Sequence, residues 1–302
     1  EGAQFKIPFT SLTGKAENNI LSYALQVKDK DKKDQYFIAG ELRHEDSKNI
    51  IKLNSENLVL NYDKLNVNRE NSIKFRDQRL YVNKFYLDHS GNELKIQSQE
   101  NQNNSPLHAD FMNFKMETIL NMVKKEDLGV QGLINGSIVF ENVMTNPIFT
   151  SDLTIDKFVF GGETVGNIAL KVDNKTANIL SANMTLSGEG NDLALLGKYM
   201  IDSENFDLNL DVNQLNIKSI QGFSLGNITD GKGSLSGQFK ITGNASEPKV
   251  NGELFFKDAG FRITKLNSYF TANDEKIALR NEDIAFDNFS IYDDNGNELG
   301  VN

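Results

Sequence analysis

A self-repeat of about 100 residues constrains this chain more than any motif in it. Gly132, Gly136 and Pro147 recur as Gly233, Gly237 and Pro248, each displaced by 101 positions (233 − 132 = 101). The same displacement pairs Ile134 with Leu235, Ile138 with Phe239, Phe140 with Ile241, Leu153 with Leu254, Ile155 with Phe256 and Phe160 with Phe261. Upstream it pairs Asp110 with Asp211, Phe114 with Leu215 and Ile119 with Ile220. A second block, Gly91-Asn92-Glu93-Leu94, returns as Gly190-Asn191-Asp192-Leu193 and as Gly296-Asn297-Glu298-Leu299. The stretch from Ile73 to Phe85 matches Ile277 to Phe289 two periods later. The 302 residues therefore divide into three approximate units, 1–105, 106–206 and 207–302, expected to form one elongated repeat domain. Units of this kind stack, and together they bury a face that none buries alone.

Within each unit the hydrophobic period is two. Leu21, Tyr23, Leu25 and Val27 alternate with polar or small residues, as do Leu58-Leu60-Tyr62, Ile168-Leu170-Val172, Leu193-Leu195 and Leu208-Leu210-Val212. Strict alternation marks strands with one apolar and one polar face. Turn clusters separate them at 29–34, 88–91, 99–105, 173–176, 188–192 and 293–296. Asn, present 38 times, is poor in helix interiors and good in turns, so many short elements are expected. One stretch reads as helical: Phe114, Met116, Ile119, Leu120 and Val123 form a stripe ending in Lys124-Lys125, a basic last turn that suits the helix dipole. Its counterpart after Leu215 meets Gly222, and this predicts a truncated copy.

The alternation changes parity at matched places. Leu153 and Ile155 give way, after Asp156-Lys157, to Phe158 and Phe160; Leu254 and Phe256 give way, after Lys257-Asp258, to Phe261 and Ile263. Leu80-Val82 followed by Phe85-Leu87, and Ile284-Phe286 followed by Phe289-Ile291, do the same. A parity switch without a Gly-rich turn reads as a β-bulge, which bends a strand and keeps its apolar side facing one way. Matched bends would curl every strand around one side. The expected fold class is all-β: an elongated, curved repeat sheet, or trough, apolar inside and polar outside, with one or two short helices. About 25 strands at ~4.8 Å would make it roughly 120 Å long. Sheets of that strand number normally curl, split or close, and an open one leaves an apolar concavity of the kind that takes a ligand or partner.

Composition excludes several function classes. There is no Cys, which removes disulfides, thiolate metal sites and Cys catalysis. The three His (His44, His89, His108) stand in polar contexts, where surface positions are expected. With 42 Asp and Glu against 32 Lys and Arg, the chain is net −10, which argues against nucleic acid. No apolar run approaches a membrane span, and no secretory leader is expected in this stretch of sequence. It is read as a fragment of a larger protein.

The remaining motifs have bland explanations. The Gly132/Gly136 and Gly233/Gly237 pairs are read as tight strand bends. Asp293-Asp294-Asn295-Gly296 could suggest a calcium loop, but Ile291 stands where a ligand is needed and a hairpin turn is expected. Lys28 to Asp34 reads as a solvated hairpin tip. No carboxylate pair stands out as an acid and base, no metal ligand set or cofactor motif is found, and an enzyme is not expected.

Gly233-Ser234-Leu235-Ser236-Gly237 leads into Phe239-Lys240-Ile241, Pro248, Gly252-Glu253-Leu254, Phe261, Ile277-Ala278-Leu279, Ile284-Ala285-Phe286 and Asp293 to Asn297. This succession closely resembles the TamB-type C-terminal region of the AsmA-like family, the β-taco, in a form similar to that of Bacteroidota envelope proteins. The likeness is strongest over 230–302 and extends to 107–200. It implies a periplasmic segment of a Gram-negative envelope protein that is anchored in the inner membrane through parts outside this sequence. The family partner is an outer-membrane barrel of the TamA type. The implied roles are phospholipid transport between the membranes or help in outer-membrane protein assembly. The residues expected to face the trough and meet acyl chains are Phe85, Leu87, Ile134, Ile138, Phe140, Leu153, Ile155, Phe160, Ile168, Leu170, Met184, Leu186, Leu235, Phe239, Ile241, Leu254, Phe256, Phe261, Ile277, Leu279, Phe286, Phe289 and Ile291.

Overall fold

A computed structural model describes residues 9–100, 102, 105–122, 129–281, 283–286 and 288–301. The chain is almost entirely strand. In order it forms β1 (Phe9–Glu17), β2 (Ile20–Lys28), β3 (Asp34–Glu45), β4 (Lys48–Leu53), β5 (Leu58–Leu60), β6 (Asp63–Val67), β7 (Ser72–Arg76), β8 (Arg79–Asn83), β9 (Phe85–His89), β10 (Asn92–Ser98) and β11 (Leu107–Lys115). Helix α1 (Met116–Met122) follows, then β12 (Gln131–Glu141), β13 (Ile148–Phe160), β14 (Glu163–Asp173), β15 (Ile179–Gly188), β16 (Asn191–Met200), β17 (Asn205–Asn216) and helix α2 (Ile217–Phe223). The chain continues through β18 (Ile228–Asn244), β19 (Pro248–Ile263), β20 (Ser268–Ala272), β21 (Lys276–Asn281), β22 (Asp283–Phe286), β23 (Phe289–Asp293) and β24 (Glu298–Val301). Pairings among the described residues are antiparallel, mostly between consecutive strands. No described helix is long and apolar enough to cross a membrane.

The repeat is visible in the elements. Helix α1 and helix α2 lie 101 residues apart and have the same length (217 − 116 = 101; 223 − 122 = 101). The expectation that Gly222 truncates the second copy is therefore corrected. Gly222 is a buried residue within α2, and a Cβ there would press on the Phe160 backbone, so glycine permits the helix to lie flat on the sheet. The first helix also begins later than its stripe suggested. Phe114 belongs to β11 and is buried, and 123–125 lie outside the described residues. The match at 204 extends to register: β7 opposes β8 as Ile73↔Val82 and Phe75↔Leu80, and β21 opposes β22 as Ile277↔Phe286 and Leu279↔Ile284.

The parity switches are of two kinds. In β13 and β19 they are bulges inside a strand, with register shifts at Ile155/Phe158 and at the β19 residues facing Lys232 and Ser234. At Lys84 and Asn288 the chain instead breaks into two strands, β8 and β9, and β22 and β23, that take different partners. The two kinds share one device. Lys84, Lys157, Asp258 and Asn288 all have positive φ, between 43° and 53° in the left-handed region. The two hairpin-tip readings hold: Asp29 caps the β2–β3 tip by accepting from Asp31 and Lys33 N–H, and Asp293 caps β23–β24 by accepting from Asn295 and Asn297 N–H.

Contacts divide the chain into two compact units, 1–125 with 134–149, and 126–133 with 150–302. In the first, β3 forks: residues 40–45 pair with β4, whereas Tyr36 and Phe37 pair with β5. The fork is held by Asn71, almost fully buried, whose side chain bonds Leu53 N at 2.8 Å and Leu53 O at 2.9 Å. Beside it, Leu58, Leu60, Leu65, Val67 and Leu87 make a closed apolar cluster. In the second unit, a smaller cluster of Ile217, Ala259 and Ala272 lies where α2 meets the sheet.

Candidate functional site

Directly opposed residues of antiparallel strands share a sheet face. Following these pairings across the second unit gives two continuous rows. One runs Ile155, Ile168, Leu186, Leu193, Val212, Gly237, Leu254, Ile277, Phe286. The next, two residues along each strand, runs Leu153, Leu170, Met184, Leu195, Leu210, Phe239, Gly252, Leu279, Ile284. A third row adds Val172, Ala182, Gly197, Leu208, Ile241 and Val250. Nine strands at ~4.8 Å make each full row about 38 Å long, and neighbouring rows lie about 7 Å apart.

The two glycines do not leave holes. The Phe239 ring lies over both, 2.8 Å from where a Gly237 Cβ would stand and 2.7 Å from that of Gly252. One aromatic side chain thus supplies the apolar surface for three positions. The reverse face carries Asp152, Lys171, Asn183, Asn209, Lys240, Asn251 and Arg280 in one row, interrupted by a single apolar residue, Leu196.

Burial falls off across the strip. In the first row Ile155 and Ile168 are 8% exposed and Leu186 6%. In the second, Leu153, Leu170, Met184, Leu195, Leu210, Phe239 and Leu279 are all only half-buried, and Ile284 is 56% exposed. Central strands of a two-layer sandwich would bury such residues on this face. Here an apolar strip stands partly open.

Helix α2 closes one side of the strip. Ile217 and Ile220 pack with Leu235, Phe256, Phe261 and Ile291, and Phe223 stacks on Phe160 with ring centres 4.3 Å apart. Polar clasps fix the helix. Asn191, buried at the start of β16, donates to Val165 O at 2.6 Å and to Ser219 Oγ at 2.8 Å, and accepts from Asn216 N at 2.7 Å. Gln221 donates to Glu163 and accepts from Gly231 N–H. The first unit repeats the device: Lys115, just before α1, pairs with Asp63 at 2.7 Å, and the Tyr36 hydroxyl donates to Asn121 O at 3.1 Å.

The trough-facing residues named from the sequence fall into four groups. Leu153, Ile155, Ile168, Leu170, Met184, Leu186, Phe239, Ile241, Leu254, Ile277, Leu279 and Phe286 share the strip face. Phe160, Leu235, Phe256, Phe261 and Ile291 lie beneath or beside α2, with Phe289 buried between Phe256 and Phe286. In the first unit, Leu87 is 4% exposed at the centre of the closed cluster, in sealed packing and not on open surface, and half-buried Phe85 packs against that cluster. In β12, Ile134 is buried, whereas Ile138 and Phe140 are half-buried, with Phe140 against Phe149. Nine apolar strip residues were left off that set: Leu193, Leu195, Leu208, Leu210 and Val212 in β16 and β17, and Val172, Ala182, Val250 and Ile284 elsewhere. The alternation of Leu193-Leu195 and of Leu208-Leu210-Val212 was visible in the sequence.

No family model, no curated protein and no solved structure matches this chain.

Proposed function

We propose that this chain is a non-enzymatic conduit for phospholipid acyl chains, of the TamB type, carrying lipid between the inner and outer membranes of a Gram-negative envelope. In this reading it lies in the periplasm and acts with an outer-membrane barrel of the TamA type. The single supporting observation is the pair of apolar rows, each crossing nine strands, half-open on one face and backed by a polar face. Exposing an acyl chain of about 16 carbons to water costs about 13 kcal/mol at ~0.8 kcal/mol per CH₂. A continuous apolar strip removes most of that barrier while the headgroup stays wet. A strip about 38 Å long exceeds one leaflet's hydrocarbon depth of about 15 Å, so a chain can slide along it without leaving apolar contact. The full rows hold only Leu, Ile, Val, Met, Phe and Gly, which suits a lane that grips without hydrogen-bond specificity.

Native mass spectrometry of the purified chain should find co-purifying phospholipid, and Phe239→Glu should abolish both this and lipid transfer. Lipid-free protein from cells, with unchanged transfer by Phe239→Glu, would contradict the proposal. A second reading, an assembly platform for outer-membrane strands, draws on β1, exposed at all nine residues and paired among the described residues only with β2. Crosslinks from β1 to nascent protein, with no lipid on the strip, would favour it.

A further inference from the structure

The fork in β3 has a chemical consequence separate from the apolar strip. Where pairing passes from β4 to β5, a cavity of about 480 Å³ opens. Arg43, Glu41, Lys52, Arg69, Asn54 and Tyr23 are among the residues lining it. Its one carboxylate is already used: Glu41 accepts from Arg43 Nε at 3.1 Å and from the Arg43 terminal nitrogen at 2.6 Å. Lys52 and Arg69 have no ion-pair partner among the described residues. Asn54 Oδ1 accepts from Glu56 N at 3.2 Å, and its amide nitrogen has no hydrogen-bond partner among the described residues. The lining therefore holds two uncompensated cations and the neutral Asn54 amide, with no free carboxylate. In a chain of net charge −10 this is a local reversal of sign.

We propose that this cavity binds a phosphate group. A phosphate accepts from every direction and is matched by a planar guanidinium together with an ammonium and neutral donors. The group could be carried by a lipid headgroup or by a soluble phosphate ester; both present the same oxygens. The proposal does not rest on the lipid-conduit reading, because the strip and the cavity share no residue.

The test is titration calorimetry of the whole chain with three probes: inorganic phosphate, glycerol 3-phosphate and phosphatidylglycerol vesicles. Binding is expected for at least one, weakening with salt, and at least tenfold weaker for the Lys52→Gln/Arg69→Gln double variant. Both substitutions are at exposed positions, and an unchanged melting temperature checks the fold. The charge-conserving Lys52→Arg/Arg69→Lys variant should retain most of the binding. Loss confined to vesicles assigns the phosphate to a lipid headgroup, whereas loss with the small probes assigns it to a soluble ester. No binding of any probe, or equal binding by the double variant, overturns the proposal. Phe239→Glu should leave this binding untouched, which separates its failure from failure of the conduit.

Discussion

The side-chain amide of Gln221 donates to the Glu163 carboxylate at 2.8 Å, and its carbonyl accepts from Gly231 N–H at 3.1 Å. Glu163 opens β14 and Gly231 lies in β18, with three strands between. In a flat sheet those strands would stand about 19 Å apart. One amide spans them only because the sheet curls around α2. The curl therefore has two causes, bulges that bend the strands and a helix that straps them.

The strap depends most on Asn191, buried and bonded to β14, to α2 and to the end of β17. Asn191→Ala leaves buried partners unmet and should cost about 2–4 kcal/mol. Urea unfolding should show a lower midpoint, and amide exchange across Ile217–Phe223 should accelerate. A change below about 0.5 kcal/mol would show that the strap holds without it.

The bulges make a prediction of opposite sign. Lys157 has φ 53° and Asp258 φ 47°. Glycine adopts this conformation freely, so Lys157→Gly should be neutral or stabilising by up to about 1 kcal/mol, whereas Lys157→Val should cost about 1–2 kcal/mol. Equal stability of the two variants, by thermal unfolding, would remove the left-handed residue as the cause of the bend.

Alternation and parity made most of the fold legible, because a strand's two faces are written two residues apart. Leu153, Leu170 and Met184 could be placed on one face before any pairing was known. What could not be read were contacts made at long range by ordinary polar residues: Asn191 with Val165, Gln221 with Glu163, Asn71 with Leu53. Gly222 misled because glycine ends helices more often than it lets them approach a sheet. Lys84 and Asn288 were indistinguishable from Lys157 and Asp258, since a strand break and a bulge leave the same parity change. Leu87 carries the same alternation as the strip residues, and only tertiary packing seals it.

Asn71 gives a second stability test. It is 1% exposed, and besides its bonds to Leu53 it donates to Asn68 O at 2.7 Å. Asn71→Ala should destabilise by about 2–4 kcal/mol in denaturant unfolding. Asn71→Asp should be no better, because a carboxylate cannot donate to Leu53 O.

The β23–β24 hairpin should respond to acid. The Asn297 side-chain amide, and then the backbone N–H groups of Asn297 and Asn295, hold the Asp293 carboxyl below its ordinary pKa. A carboxyl depressed in the folded state stabilises fully above the unfolded pKa and loses that contribution as pH falls through the folded value. NMR titration should give Asp293 a midpoint below that of an unstructured Asp, with the Asn295 and Asn297 amide signals moving together with it. A midpoint at or above the ordinary value would contradict the cap.

Phe239 and Lys240 are adjacent in β18 and face opposite sides, one towards the apolar strip and the other towards Asp207 on the polar face. Photoactivatable residues placed singly at these two positions, irradiated in living cells, test the central claim most directly. Phospholipid captured at position 239 and not at 240 is the expected result. Equal capture at both, or capture only at 240, would contradict it.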